Sequence, residues 1–200
     1  ATVSSNTSVV ILTFFSSLSN ISVYSVYYAV ANGISGIILS AASGVESFFG
    51  NILAKEEKET MNKSFECVEW IVHMLVTILF AIAEIMIIPF VKVYTKGVTD
   101  INYILPSFGF VLVLAYMSQC LRIPYFIIIK AAGHFKQTQG GSFIMAGINI
   151  IASLLFVFKL GLVGVALGTL LAMIFHICYF VWYLRNNILN RSVFYFVKYV

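Results

Sequence analysis

Long apolar stretches alternate with short polar segments along almost the whole chain. A helix needs about 20 apolar residues to cross a bilayer core of about 30 Å, and five stretches reach or approach that length. No period-two alternation of apolar and polar residues occurs, which argues against the strands of a transmembrane barrel. The pattern therefore predicts an all-α, polytopic transmembrane bundle with helices at about 21–53, 70–91, 103–129, 141–158 and 160–184.

Shorter apolar runs lie at both ends of the chain. A partial helix is predicted within 1–18, and another helix is predicted to start at 192–200. Both runs are too short to cross a bilayer by themselves. We therefore expect residues 1–200 to form a single transmembrane domain that is a fragment, one lobe of a longer membrane protein.

The prolines refine this helical pattern. Pro106 falls in the first turn of its predicted helix, where a missing N–H costs little. Pro124 falls inside the same helix, where it removes the hydrogen bond to the carbonyl of Cys120. We therefore expect a kink near Pro124.

The composition fits a membrane as the solvent. Hydrophobic residues make up 60% of the chain and charged residues 10%, and the mean hydropathy is +0.97. Soluble domains carry about 25% charged residues, so these values exclude a soluble domain, a disordered chain and a protein that binds nucleic acid through a basic surface. The three cysteines, Cys67, Cys120 and Cys178, form no C-x-x-C motif, so no metal site and no disulfide are expected.

Basic residues are unequally divided between the two sides of the predicted bundle. Eight lie in the loops 51–65 and 130–139 and in the C-terminal segment, three lie on the opposite side, and Arg122 lies within a span. The positive-inside rule therefore predicts that the loops 51–65 and 130–139 and the C-terminal segment are cytoplasmic. All the loops are short, which leaves little room for an extramembrane catalytic domain, and we expect no enzyme activity.

Small residues recur at four-residue spacing in two of the predicted helices. Such stripes let helix backbones approach closely, so we expect packing inside the bundle, with a mobile seam between helices as the alternative. The positions are Ser25, Ala29 and Gly33, then Gly36, Ser40 and Gly44, and finally Gly164 and Gly168.

Arg122 is the first candidate for a functional residue. It precedes Lys130, the end of its span, by eight residues, which is roughly 12 Å at about 1.5 Å per residue. An arginine at such a depth costs on the order of 2.5–3.5 kcal/mol on insertion scales. Its planar donor fork suits phosphate or carboxylate. Two interpretations stay open: Arg122 lines a cavity that attracts an anion, or it snorkels to the cytoplasmic interface or pairs with a carboxylate.

Glu84 is the candidate carboxylate within the membrane. It lies well inside the predicted helix 70–91 and must be protonated, paired or hydrated there. It is therefore a candidate ion-pair partner of Arg122, a candidate coupling-ion site, or a group buried with a structural partner. His73 and His176 are weaker candidates, because a lone histidine on an apolar face more often packs with a hydrogen bond. No metalloprotease, nucleophile-elbow or phosphate-loop motif occurs.

Several segments of the sequence form a recognisable set. They are VYSVYY at 23–28, PF at 89–90 followed by YTKGVTDINY at 94–103, RIPY at 122–125 followed by AAGHFKQTQ at 131–139, NI at 149–150 and GLVGVALGT at 161–169. Together they resemble the C-terminal half of bacterial polysaccharide flippases of the O-antigen and capsule type. These flippases belong to the multidrug/oligosaccharidyl-lipid/polysaccharide exporter superfamily. The resemblance extends over nearly the whole chain.

The resemblance implies a transporter of twelve to fourteen helices in two pseudo-symmetric halves, of which this chain is the second, with about six helices. It implies translocation of a lipid-linked oligosaccharide repeat unit, carried on undecaprenyl pyrophosphate, across the inner membrane by alternating access. The expected partners are that glycan lipid, membrane lipids and the missing N-terminal lobe, and no nucleic acid, metal or cofactor is expected. Arg122 alone falls on a motif position that suits a cavity cation.

Other functions stay open at this point. A multidrug exporter or a peptidoglycan-precursor flippase of the same superfamily would share these helices, and the upstream half would distinguish them. A membrane-embedded glycan acyltransferase or polymerase would need catalytic residues on large outer loops, which this chain lacks. A non-transporting membrane scaffold is a further alternative. Asn6-Thr7-Ser8 stands where the family has Asn-Thr-Asp, so no acidic site is assigned there.

Overall fold

A computed structural model describes residues 9–13, 18–55, 58–99 and 101–189 of the chain. These residues are helical almost throughout and include no β-strand, which confirms the all-α prediction. Residues 9–13 form a short helical segment, and longer elements follow it. They are α1 (Leu18–Ser43), α2 (Val45–Ala54), α3 (Lys58–Tyr94), α4 (Pro106–Leu121), α5 (Ile123–Ala131), α6 (Phe135–Leu160), α7 (Leu162–Leu184) and a π-helical turn (Arg185–Leu189).

Within the described part of the chain, five helical segments are long and apolar enough to cross a membrane. Their number equals the five full spans that the hydropathy pattern predicts, and the fold is compatible with a multi-pass membrane protein. The predicted partial helix is described only at its residues 9–13 and 18, and the predicted helix start at 192–200 lies outside the described residues. The five segments are Ser19–Ala54, Glu59–Tyr94, Pro106–Ala131, Phe135–Leu160 and Leu162–Leu189.

Two helices begin earlier than the hydropathy pattern predicts. α3 begins at Lys58 instead of residue 70, and α6 begins at Phe135 instead of residue 141. The segments 51–65 and 130–139, which were expected to be loops, are therefore mostly helical. Polar residues continue a helix when they stabilise one another across a turn, and in α3 Lys63 Nζ lies 2.7 Å from Glu59 Oε1.

The first and third spans are interrupted instead of continuous. Gly44 separates α1 from α2, and Arg122 separates α4 from α5. Pro124 lies in the first turn of α5, where it has no N–H to donate to the preceding turn. The kink predicted near Pro124 coincides with this break, and Arg122 itself keeps helical dihedral angles of φ −74° and ψ −19°. As a result, Arg122 lies at a junction of two helices.

α7 packs closely against α6 at two of the small residues. A Cβ atom at Gly164 would collide with the carbonyl group of Phe156, and a Cβ atom at Gly168 would collide with Ser153. Only a hydrogen atom fits at these two positions. The close packing predicted for Gly164 and Gly168 is therefore confirmed.

The small residues of α1 lie on a different kind of surface. No described atom lies within 4 Å of a Cβ atom placed at Gly33, Gly36 or Gly44, and the rest of the stripe is exposed. The expectation that this stripe packs inside the bundle is wrong for the described part of the chain. The reason is that α1 turns its large side chains, including Tyr27 and Ile38, into the core.

Tyr27 connects α1 to the segment that leads into α4. Its hydroxyl donates a hydrogen bond to the carbonyl oxygen of Tyr103 at 2.9 Å and accepts one from the N–H of Leu105 at 3.0 Å. A Cβ atom at Gly109 would lie 2.9 Å from the Tyr27 ring, so the ring packs directly on the α4 backbone. These contacts fix the beginning of the helix that ends at the Arg122 break.

Candidate functional site

A cavity of about 430 Å³ lies between α1, the α4–α5 junction, α6 and α7. Small-molecule sites have volumes of about 300–1,000 Å³, so the cavity has room for one small group. Polar and apolar side chains share its wall. The polar residues are Asn32, Ser35, Gln119, Arg122, Gln139, Ser142 and His176, and the apolar ones include Leu39, Phe126, Phe143 and Met173.

Arg122 reaches the cavity from the break between α4 and α5. Its Cζ atom lies 5.4 Å from the centre of the Phe126 ring and 5.6 Å from the centre of the Phe180 ring, as in cation–π contacts. Its Nε atom is buried and has no hydrogen-bond partner among the described residues. Of the two interpretations of Arg122, the geometry favours the one in which it lines a cavity.

His176 lines the same cavity from α7. Its side chain is buried, and its ring centre lies 4.3 Å from the centre of the Phe180 ring. Neither Nδ1 nor Nε2 has a hydrogen-bond partner among the described residues, so the packing hydrogen bond expected for His176 is not found there. A buried polar group without a partner costs about 1–3 kcal/mol. A ligand or an ordered water in the cavity would remove that cost.

Amide and hydroxyl groups extend the polar wall. Asn32 comes from α1, Gln119 from the end of α4, and Gln139 and Ser142 from α6. An amide both donates and accepts hydrogen bonds, which suits the hydroxyl groups of a sugar. Isolated amides in apolar spans carry no motif, so the sequence did not single out these residues. Their one signal is the spacing of Gln119 from Arg122, about one helical turn.

Glu84 lies on α3 and does not line the cavity. Its Oε2 atom is buried and has no hydrogen-bond partner among the described residues. The ion pairs within the described part of the chain are Lys63–Glu59 and Lys130–Glu46, so Arg122 and Glu84 are not paired in this conformation. The structure does not bring the two candidate residues together, and a coupling role for Glu84 stays a prediction.

Buried hydrogen bonds hold the residues on either side of Arg122 against α3. His73 Nε2 lies 3.1 Å from the carbonyl oxygen of Leu121, and the Tyr125 hydroxyl donates to the Glu69 carboxylate. Because a carbonyl only accepts, Nε2 of His73 carries the proton. The expectation that His73 is a hydrogen-bonded packing residue is confirmed.

Glu69 is a residue that the sequence reasoning missed. It lies one position before the predicted helix 70–91, and it was therefore left outside the membrane span. Its four-residue spacing from His73 puts both side chains on one face of a helix, and that spacing was the available signal.

An ion pair joins the last turn of α5 to the first turn of α2. Lys130 Nζ lies 2.5 Å from Glu46 Oε2, and both side chains are about one-third exposed. Lys130 was expected only to mark the membrane boundary. The structure shows that it also ties two helices together.

The described residues include no group of three His, Cys, Asp or Glu side chains that could hold a metal ion. Cys67, Cys120 and Cys178 are unpaired. The cavity wall offers a guanidinium, an imidazole, amides and hydroxyls on an aromatic and aliphatic surface. Such a set suits the non-covalent binding of an anionic group that also carries hydroxyls.

Comparisons with protein-family models, with curated proteins and with solved structures found no match to this chain.

Proposed function

We propose that this chain is the C-terminal lobe of a twelve- to fourteen-helix flippase of the bacterial inner membrane. The flippase translocates a lipid-linked oligosaccharide repeat unit for the synthesis of lipopolysaccharide or capsule. The observation that carries this proposal is Arg122, which lines a polar cavity between candidate membrane spans and has no carboxylate partner among the described residues. The resemblance of the sequence to polysaccharide flippases supports the same function.

The cavity has the chemistry that an anionic, hydroxylated substrate requires. The guanidinium of Arg122 can bind one phosphate or carboxylate through two parallel hydrogen bonds. The amides of Asn32 and Gln139 can bind hydroxyl groups, and the rings of Phe126 and Phe143 offer apolar faces to the C–H groups of a sugar. Hydrogen bonds are electrostatically stronger in a low-dielectric site than in water, so a single cation can select the anionic group.

In this proposal translocation needs no covalent step. The cavity opens alternately to the two sides of the membrane as this lobe moves against the N-terminal lobe. The basic beginning of α6, at Lys136, faces the cytoplasm and attracts the anionic head group. Arg122 lies roughly 12 Å deeper than Lys130 and receives the anion next.

The test is glycan export by the full-length protein in a bacterial strain that lacks its own flippase. We expect Arg122→Ala to reduce surface glycan about tenfold or more, because a hydrogen bond to a charged group contributes about 1.5–3 kcal/mol. Arg122→Lys should restore part of the export, since lysine keeps the charge but lacks the planar fork. Surface glycan per cell is measured, with the amount of membrane protein determined by immunoblot.

Arg185→Ala is the matched control, because it removes the same charge from an exposed position at the end of α7. We expect it to export glycan like the unaltered protein. Normal surface glycan in the Arg122→Ala strain would contradict the role of Arg122. Failure of the unaltered protein to export glycan, combined with efflux of organic cations, would favour a multidrug exporter instead.

A further inference from the structure

We propose that His176 is a second ligand-binding residue of the cavity, and that His176 and Arg122 together hold one oxyanion, a phosphate or a carboxylate, of the transported molecule. The identity of the transported molecule rests on the proposed function. The binding of the oxyanion can be measured without any transport.

Phe180 brings the two residues to one part of the cavity. The His176 ring packs on the Phe180 ring at 4.3 Å between centres, and Cζ of Arg122 lies 5.6 Å from the centre of the same ring. Both residues also line the cavity itself. Arg122 and His176 therefore belong to one site, which both line and where both contact Phe180.

The second argument is the state of the imidazole. His176 is 2% exposed, as is His73 on α3. His73 binds the carbonyl oxygen of Leu121, whereas both ring nitrogens of His176 are buried without a hydrogen-bond partner among the described residues. Buried polar groups are nearly always hydrogen-bonded, so an unsatisfied imidazole in a cavity wall points to a ligand.

The chemistry of the two groups identifies the ligand class. A neutral imidazole donates through one nitrogen, and a guanidinium donates through several N–H groups in one plane. Both kinds of donor suit an oxygen that carries negative charge. Among the described residues that line the cavity, Arg122 is the one cation, so the site fits a group with a single negative charge. A sugar carboxylate and one phosphate of a pyrophosphate linkage both meet this description.

The test is isothermal titration of the full-length protein in detergent with sodium glucuronate, inorganic pyrophosphate and glucose. We expect at least one of the two anions to bind and glucose to bind at least about tenfold more weakly. His176→Phe keeps an aromatic ring without hydrogen-bonding atoms and should weaken binding of that anion about tenfold. His176→Gln keeps a donor and should stay within about threefold of the unaltered protein. Cys178→Ala, an exposed position on the same helix, is the control and should bind normally.

Each outcome decides the question. Binding of glucuronate alone identifies a sugar carboxylate as the source of the oxyanion, and binding of pyrophosphate alone identifies the lipid carrier. The proposal is overturned if neither anion binds, if glucose binds as tightly as the anions, or if His176→Phe and His176→Gln both bind like the unaltered protein. Loss of anion binding in both variants would contradict the proposal that a hydrogen-bond donor at position 176 binds the anion, and would indicate a structural role for His176.

Glycan export tests the proposed function separately. Anion binding without export would leave the oxyanion site in place and remove the flippase assignment. Export without anion binding would keep the flippase assignment and remove the site.

Discussion

His73 and His176 are equally buried in candidate membrane spans, and the sequence offers no difference between them. In the structure, His73 bonds to the carbonyl oxygen of Leu121, beside the break at Arg122. His176 faces a cavity and has no such partner among the described residues. Burial alone therefore does not separate a structural histidine from a candidate ligand. The hydrogen-bond partner of the imidazole distinguishes the two, and that partner is known only from the packed structure.

A test at the scale of one residue concerns the hydroxyl of Tyr27. Tyr27→Phe removes the acceptor for the N–H of Leu105 and the donor to the carbonyl of Tyr103. We expect a destabilisation of about 1–3 kcal/mol, because two part-buried backbone groups lose their partner. The measurement is the thermal unfolding midpoint of the purified protein in detergent.

Tyr28→Phe is the control for this test, because the Tyr28 hydroxyl makes no hydrogen bond with the described residues and its ring contacts remain. Its midpoint should match that of the unaltered protein. Equal midpoints for Tyr27→Phe and Tyr28→Phe would show that the contacts at Leu105 and Tyr103 add nothing to stability.

Residue-scale reasoning from the sequence reached Arg122 but not the rest of its cavity. Arg122 was found because a cation deep in a span is costly wherever it lies. An uncharged amide gives no comparable signal in a sequence, because amides are common in loops and helices alike. This is why the sequence did not single out Asn32, Gln119 and Gln139. They become a site only because α1, α4 and α6 meet at one cavity.

At the scale of helices, hydropathy located each span but not its ends. Hydropathy indicates only the apolar part of a helix. It therefore missed the charged first turns of α3, which begins at Lys58. The break at Arg122 was predictable, because the effect of Pro124 on a helix is local. The exposure of the small residues of α1 was not predictable, because it depends on which face of α1 the other helices cover.

The glycines of α6 and α7 give a test at this scale. Gly168→Ala puts a Cβ atom into Ser153 of the facing helix, whereas Gly147→Ala, on α6, meets no described atom within 4 Å. Glycine to alanine in an open helix position gains up to about 1 kcal/mol of helix propensity. We therefore expect opposite signs, with Gly147→Ala neutral or stabilising and Gly168→Ala destabilising by about 1–3 kcal/mol.

The measurement is the thermal midpoint of each variant, with the yield of protein in the membrane as a second readout. A midpoint for Gly168→Ala at or above that of Gly147→Ala would mean that α6 and α7 separate easily at this position. The close packing would then contribute little to the stability of the protein.

At the scale of the whole molecule, close packing is concentrated at particular contacts. α7 packs closely on α6 at Gly164 and Gly168, and Tyr27 fixes α1 to the segment before α4. Large apolar side chains such as Ile85 and Phe158 project outward at 74% exposure, as expected for surfaces that face lipid. One candidate span, Pro106–Ala131, separates Lys96 from Lys136 along the chain, so we expect the two lysines on opposite sides of a membrane.

Orientation in the membrane is the prediction that belongs to this scale. In a background without Cys67, Cys120 and Cys178, we expect Lys96→Cys to react with an impermeant maleimide in intact cells. Lys136→Cys should react only after the membrane is opened, because the positive-inside rule puts it in the cytoplasm. Labelling of Lys136→Cys and not of Lys96→Cys in intact cells would reverse the topology and remove the cytoplasmic entry route to Arg122.

The glycines of α1 have a mechanical consequence for the cavity. A Cβ atom placed at Gly33 or Gly36 meets no described atom within 4 Å, so this face of α1 makes no close contact with another described helix. Gly36 and Asn32 also form one wall of the cavity, while α7 forms another and is locked to α6. The cavity therefore has one wall with open space beside its glycines and another wall that is in close helix–helix contact. We expect a ligand larger than about 430 Å³ to shift α1 more than α7.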